Sequence, residues 1–174
     1  MKKLIDKSTC NNEETKMHTQ DIISELTLSG KLSTDTIREI EENGSLRQDI
    51  VEYFNKNRNR KFCLEFLNVL SELRKNSDVG LSGDSLMLAC YILGKHSHIE
   101  DCLKIWETKR LDFDTYCSID IQLVAFAGAQ ETIEYLKNQT SEEAKAAAEY
   151  MIGCSKAGDF KDLETYFNET PWFV

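Results

Sequence analysis

Residues 150–167 read YMIGCSKAGDFKDLETYF. Small residues precede Gly158, and an apolar segment with acidic residues follows it. A similar order surrounds Gly94 and Gly128. The residues four positions before and five positions after these glycines are Cys90, Val124 and Cys154, then Ile99, Ile133 and Leu163. Small residues let two helices approach closely, and glycine permits the tight turn between them. The pattern predicts three helical hairpins, each of which buries its apolar face by stacking on a neighbour.

The remainder of the chain also has helical periodicity. Apolar residues recur every three to four positions, no segment alternates as a strand would, and the single proline is Pro171. We predict an all-α single domain over residues 1–174, with about ten helices stacked as antiparallel hairpins in an α-solenoid. Residues 1–16 are expected to be frayed, 17–80 to form divergent hairpins, and 84–168 to form the repeats. An irregular helical bundle is the alternative. The predicted helices span residues 18–29, 34–43, 45–57, 60–76, 84–95, 98–109, 114–127, 130–138, 141–157 and 159–168.

Two of these segments resemble known helical repeats. LMLACYILGKHSHIEDCLKIWE at 86–107 and the stretch at 150–167 are similar to tetratricopeptide or pentatricopeptide repeats, and DFDTY at 112–116 resembles a pentatricopeptide inter-repeat turn. HEAT-like hairpins of irregular length fit about as well. The early aromatic residue and late proline of tetratricopeptide repeats do not recur here. Pentatricopeptide repeats usually read RNA on a basic surface, whereas this chain is acidic.

Charge and cysteine content narrow the class of partner and the compartment. The chain has 30 acidic and 21 basic residues, a net charge of −9, which disfavours nucleic acid and anionic membranes and suits a basic protein. Plain solubility is the alternative explanation. The six cysteines are scattered without a CxxC pair, so we expect reduced thiols and a cytoplasmic location. We also expect no signal peptide and no membrane span.

No motif for catalysis or for a cofactor stands out, so we expect a protein that is not an enzyme and has no cofactor and no metal. His96 and His98 are two positions apart at a predicted turn, a poor spacing for metal ligands on one helical face. No nucleophile signature surrounds any cysteine, although a Cys and a His could still meet in space. The basic cluster at 56–61 is interpreted as a solvated loop beside a helix end, with contact to nucleic acid or to an acidic patch on a partner as the alternative. Trp172 either folds back onto the last hairpin or anchors a partner.

Acidic residues around the predicted inter-repeat turns are the candidate partner-binding set. Successive turns of a stacked array line one edge, where a row of carboxylates would meet a cationic partner. Ordinary helix N-terminal charges on a solvated surface are the alternative. The candidate residues are Asp112, Asp114, Asp120, Glu131, Glu134, Glu142 and Glu143.

Size, acidity and helix content together resemble the small immunity proteins of bacterial toxin systems, including contact-dependent growth inhibition. The resemblance implies a non-enzymatic protein-binding domain that neutralises a basic, nuclease-type toxin by occluding its active site. Carboxylates would take the place of RNA phosphates, and the chain would be a monomer in a heterodimeric complex. The alternative is a helical-repeat adaptor that holds a peptide or partner helix in its groove. An enzyme or an RNA binder is the third hypothesis.

Overall fold

A computed structural model describes residues 17–76 and 80–174, which form ten α-helices and no β-strand. The all-α prediction is therefore confirmed. The predicted fraying of residues 1–16 lies outside the described residues. The helices are α1 (Thr19–Ser29), α2 (Thr34–Glu42), α3 (Gly44–Lys56), α4 (Arg60–Asn76), α5 (Gly83–Gly94), α6 (Asp101–Lys109), α7 (Phe113–Ser118), α8 (Ala129–Lys137), α9 (Glu142–Ala157) and α10 (Leu163–Asn168). A short 3-10 helix, Ile121–Leu123, lies between α7 and α8. None of the described helices combines the length and the apolar character that crossing a bilayer requires.

Helix α5 lies at the centre of the molecule. Its sequence from Leu86 to Leu93 is LMLACYIL, which has no polar face, and a helix that is apolar all round is stable only when it is enclosed. Every residue from Ser85 to Gly94 is buried. α5 packs against α2, α3, α4, α6 and α7. The buried apolar side chains form one cluster that extends from Ile22 in α1 to Phe173 near the C-terminus.

The helix pairs that pack most closely differ from the predicted hairpins. Turns at Gly94, Gly128 and Gly158 predict the pairs α5–α6, α7–α8 and α9–α10. The most extensive contacts instead join α4 to α5 and α8 to α9. Gly158 does end α9 with a φ of +93°, and Gly128 precedes α8 with a φ of +104°, so both provide a turn that disfavours other residues. Because α5 packs against several helices at once, a regular stacked array stays a prediction.

The predicted helix over 114–127 is wrong, because α7 ends at Ser118 and only the 3-10 helix follows. Lys109, the last residue of α6, contacts the backbone at this break. Its buried ammonium donates hydrogen bonds to the carbonyl oxygens of Tyr116 at 2.5 Å and Ile119 at 2.6 Å, and so stabilises a break in the helix. The helices predicted over 98–109 and 159–168 are real but begin later, at Asp101 and Leu163.

Candidate partner-binding edge

The first candidate site is built on α7 and is called the α7 edge, defined as residues 112–120 together with Trp172. The helix starts with a capping box. The Asp112 side chain accepts a hydrogen bond from the Thr115 backbone N–H at 2.9 Å, and the Thr115 hydroxyl accepts one from the Asp112 N–H at 3.0 Å. The start of α7 is therefore fixed by its own sequence.

Arg74 of α4 anchors this end of the edge. Its guanidinium donates to both oxygens of Asp112, at 2.7 and 3.1 Å, and also to the carbonyl oxygen of Leu81. The Arg74 guanidinium holds the pKa of Asp112 at about 2, well below its usual range. The contact from Arg74 to Asp114 is longer, at 3.3 Å. The structure thus brings two predicted carboxylates together, but one of them is already neutralised.

Exposed aromatic side chains give the α7 edge its apolar surface. Among the described residues four large hydrophobic side chains are exposed, and three belong to this edge: Phe113 is 79% exposed, Trp172 63% and Tyr116 37%. The fourth, Leu28 in α1, is 87% exposed. Phe113 and Tyr116 are three residues apart and so share one face of α7. The Tyr116 ring packs edge-on against Tyr150 of α9, with centroids 5.7 Å apart, which holds it in place.

The C-terminal segment folds back onto the domain, whereas the role of Trp172 as an anchor for a partner stays a prediction. Phe173 is buried in the core, and Arg47 of α3 donates to its carbonyl oxygen at 2.8 Å, so the segment does fold back. Trp172 stays exposed, but its indole N–H donates to Asp120 at 3.0 Å. The Tyr166 hydroxyl donates to the same carboxylate oxygen, also at 3.0 Å. Asp120 therefore orients the exposed indole and already accepts hydrogen bonds from within the chain.

The four remaining predicted carboxylates lie on α8 and α9. Glu142 pairs with Lys145 at 2.6 Å, and Glu143 pairs with Arg110 at 2.8 Å. α8 and α9 are joined by a short turn and pack closely, so the start of α8 lies at the opposite end of this hairpin from the start of α9. Glu134 accepts a hydrogen bond from a neighbouring glutamine of α8. Glu131 is exposed and has no partner within the described residues. A single row of free carboxylates therefore stays a prediction.

The structure also shows which of the candidate nucleophilic and metal-binding side chains lie close together. The Sγ atom of Cys63 lies 3.6 Å from Nε2 of His96, so a cysteine and a histidine do meet. Cys63 is fully buried, however, and burial raises its pKa to about 12, which leaves no thiolate for nucleophilic attack at neutral pH. Nowhere in residues 17–76 and 80–174 do three or more His, Cys, Asp or Glu side chains gather as metal ligands.

Sequence reasoning missed Phe113, the most exposed aromatic residue of the α7 edge. The available signal was DFD at 112–114, a phenylalanine between two aspartates at a helix start, where a core residue would be out of place.

Comparisons of the chain with protein-family models, with curated proteins and with solved structures found no match. The site must therefore be interpreted from its own geometry.

Proposed function

We propose that this chain is a non-enzymatic protein-binding domain that captures a basic protein through the α7 edge. The observation that supports this most directly is the exposure of two large aromatic side chains, Phe113 on α7 and Trp172, whose indole is hydrogen-bonded to Asp120 just after α7. Exposed apolar surface rimmed by polar groups marks interaction sites. Aromatic anchors of this kind contribute most of the binding energy in protein interfaces.

Charge selects the kind of partner. A net charge of −9 attracts a cationic protein and speeds its association, whereas it repels nucleic acid. The Asp114 side chain is 83% exposed beside Phe113, and its 3.3 Å contact with Arg74 is the weakest in that group. A partner lysine or arginine can therefore pair with Asp114 while Arg74 keeps its two bonds to Asp112. The edge offers an aromatic anchor and a replaceable salt bridge side by side.

The biological role we propose is that of an immunity protein, which neutralises a basic nuclease-type toxin. Binding would cover the toxin's cationic cleft, and exposed carboxylates such as Asp114 would occupy the positions of substrate phosphates. The proposal rests on the acidity, the helix content and the aromatic edge taken together. A peptide-binding adaptor would share the aromatic edge but would have no need for a strongly basic partner.

The test is a quantitative affinity capture from the native source with four versions of the chain as bait: wild type, Phe113→Ala, Trp172→Ala and Leu28→Ala. Leu28 provides the matched control, since it is equally exposed but lies on α1. We expect one stoichiometric basic protein, bound at least about tenfold more weakly by Phe113→Ala and Trp172→Ala and unchanged by Leu28→Ala. Its recovery should fall as salt screens the charges. The purified partner is then tested for nuclease activity and for inhibition at equal stoichiometry.

Two outcomes would contradict the proposal. Equal recovery by the Phe113→Ala, Trp172→Ala and Leu28→Ala baits would show that the α7 edge is not the interface. Recovery of several unrelated proteins, indifferent to salt, would reject the neutralising role and favour the adaptor.

A further inference from the structure

A second surface feature lies at the C-terminal end of α5, and it shares no lining residue with the α7 edge. It is a cleft of about 470 Å³, here called the Arg58 cleft, between the turn after α3, the end of α5 and the helix α10. α5 has 12 residues and is therefore roughly 18 Å long, and its opposite end contacts α7 at Gly83 and Ser118. The length of the central helix thus separates the cleft from the C-terminal end of α7, whereas Trp172 is linked through Asp120 to Tyr166, the neighbour of the cleft residue Phe167. Residues that line the cleft are Arg58, Gly94, Lys95, Ser97, Phe126, Leu163, Glu164, Phe167 and Asn168.

Two arginines close to the turn between α3 and α4 differ in their hydrogen-bond partners. Arg60 is engaged by a bidentate pair with the buried Asp101, at 2.8 and 2.5 Å, and it also contacts Glu100. Arg58 is exposed and has no hydrogen-bond or ion-pair partner within the described part of the chain. The cation that faces the cleft is therefore the one that remains available.

Lys95 is the second basic residue that lines the cleft. Burial, and then the charge of Arg58, lower the pKa of Lys95, and the same two causes in the same order lower the pKa of His96. The Lys95 ammonium donates to the carbonyl oxygen of Phe167 at 3.0 Å and lies over the Tyr91 ring, but the structure gives it no carboxylate partner. The two cations Arg58 and Lys95 repel each other, and an anion between them would relieve that repulsion.

Aromatic and polar side chains both contribute to the rest of the lining. Phe126 and Phe167 present aromatic surface to the cleft. Gly94 makes this possible, because a Cβ atom there would lie 3.1 Å from the Phe126 ring. Glu164 and Asn168 also line the cleft, where the carboxylate can accept hydrogen bonds and the amide can donate and accept them. The combination suits a ligand that has an anionic group, a flat apolar ring and polar ring edges.

Backbone strain also falls at this cleft. Ser97 has a φ of +55°, and among the described residues it is the one non-glycine residue with a positive φ. Such strain persists where the surrounding structure demands it and concentrates at functional sites. Here it places a hydroxyl-bearing residue, where glycine would be easier to accommodate, in the lining of the cleft beside Lys95.

We propose that the Arg58 cleft binds a nucleoside monophosphate, with the phosphate held by Arg58 and Lys95 and the base packed against Phe126 and Phe167. Arginine and lysine are the usual donors to phosphate oxygens, and aromatic rings stack on any nucleobase. This is a small-molecule site, distinct from the protein-binding α7 edge, and neither proposal depends on the other.

The test is an NMR titration of the ¹⁵N-labelled chain with AMP, GMP, CMP and UMP, with adenosine and inorganic phosphate as partial ligands. At least one nucleotide should shift the amides of Gly94, Ser97 and Phe126 in a saturable way, more tightly than either partial ligand. Arg58→Gln should weaken this binding at least about tenfold, since it removes a charged hydrogen bond. Lys61→Gln, which removes an exposed cation close by in sequence but outside the cleft, should leave it unchanged. Because Arg58 has no partner, its variant should fold as the wild type does.

Three results would overturn the proposal. The first is the absence of saturable shifts with all four nucleotides. The second is equal weakening by Arg58→Gln and Lys61→Gln, which would indicate unspecific charge attraction. The third is binding of inorganic phosphate as tight as that of every nucleotide, which would show that the aromatic walls hold no base.

Discussion

Lys109→Met tests the most unusual polar interaction of the core. The Lys109 ammonium lies at the end of α6, where it donates to the carbonyl oxygens of Tyr116 and Ile119 and lies 4.9 Å from the centroid of the Tyr116 ring. Methionine has a similar length but no donor. The substitution therefore fills the same space and leaves two carbonyl groups without their hydrogen bonds.

The magnitude follows from these contacts. A hydrogen bond that involves a charged group contributes about 1.5–3 kcal/mol, so two such bonds set an upper value near ~6 kcal/mol. Burial lowers the pKa of Lys109, which means that desolvation of the ammonium offsets part of this gain. We expect Lys109→Met to lower the free energy of unfolding by about 2–3 kcal/mol, a large share of the 5–15 kcal/mol typical of a domain.

Urea unfolding followed by circular dichroism measures this loss, with an unchanged m-value as the sign of an unchanged native fold. Lys145→Met is the matched control, because Lys145 is exposed on α9 and makes only a surface pair with Glu142. Its effect should stay within about 0.5 kcal/mol. A loss for Lys109→Met no greater than that of the control would refute the argument that this ammonium stabilises the break after α7.

Two further predictions concern acid stability and backbone strain. The pKa of Asp112 is lowered from 3.8 to about 2 by Arg74, so its stabilising effect is complete above pH 4 and is lost as the pH falls towards 2. Since Asp112 is partly exposed, Asp112→Asn should remove about 1 kcal/mol of this pH dependence, measured by unfolding between pH 2 and 5. Ser97→Gly should raise the free energy of unfolding by about 0.5–1 kcal/mol, because glycine adopts a positive φ without strain. A destabilised Ser97→Gly variant would show that the serine hydroxyl contributes more than the strain costs.

Much of the fold could be predicted because helical periodicity is a local signal. The bounds of α4 and most of α9 follow from the spacing of apolar residues, and Gly158 marks the end of α9. The break after Ser118 could not be predicted, because residues 114–127 contain no glycine or proline. At this break Lys109 of α6 donates hydrogen bonds to carbonyl oxygens of Tyr116 and Ile119, a contact that spans the turn between α6 and α7. A tertiary contact here overrides the local helix preference.

The sequence could show where carboxylates of the candidate site lie, but not whether a basic side chain neutralises their charge. Asp112 and Asp114 do lie together, but the arginine that pairs with them comes from α4, about 40 positions earlier. Glu143 pairs with Arg110 across a similar separation. Sequence alone shows a carboxylate and cannot show the cation that neutralises it. Exposure of Phe113 likewise depends on how α7 is oriented, which the position of a phenylalanine in the sequence does not specify.

The enclosure of α5 has a consequence for how the chain acquires its structure. A helix without a polar face gains nothing by forming alone in water, so α5 becomes stable only as its neighbours close around it. Until then LMLACYIL is an uncharged apolar segment that can associate with another chain. The helices α2, α3 and α4 precede α5 in the sequence, and α6 and α7 follow it. During synthesis the first three are thus already available to cover α5, which shortens the time that this segment stays exposed.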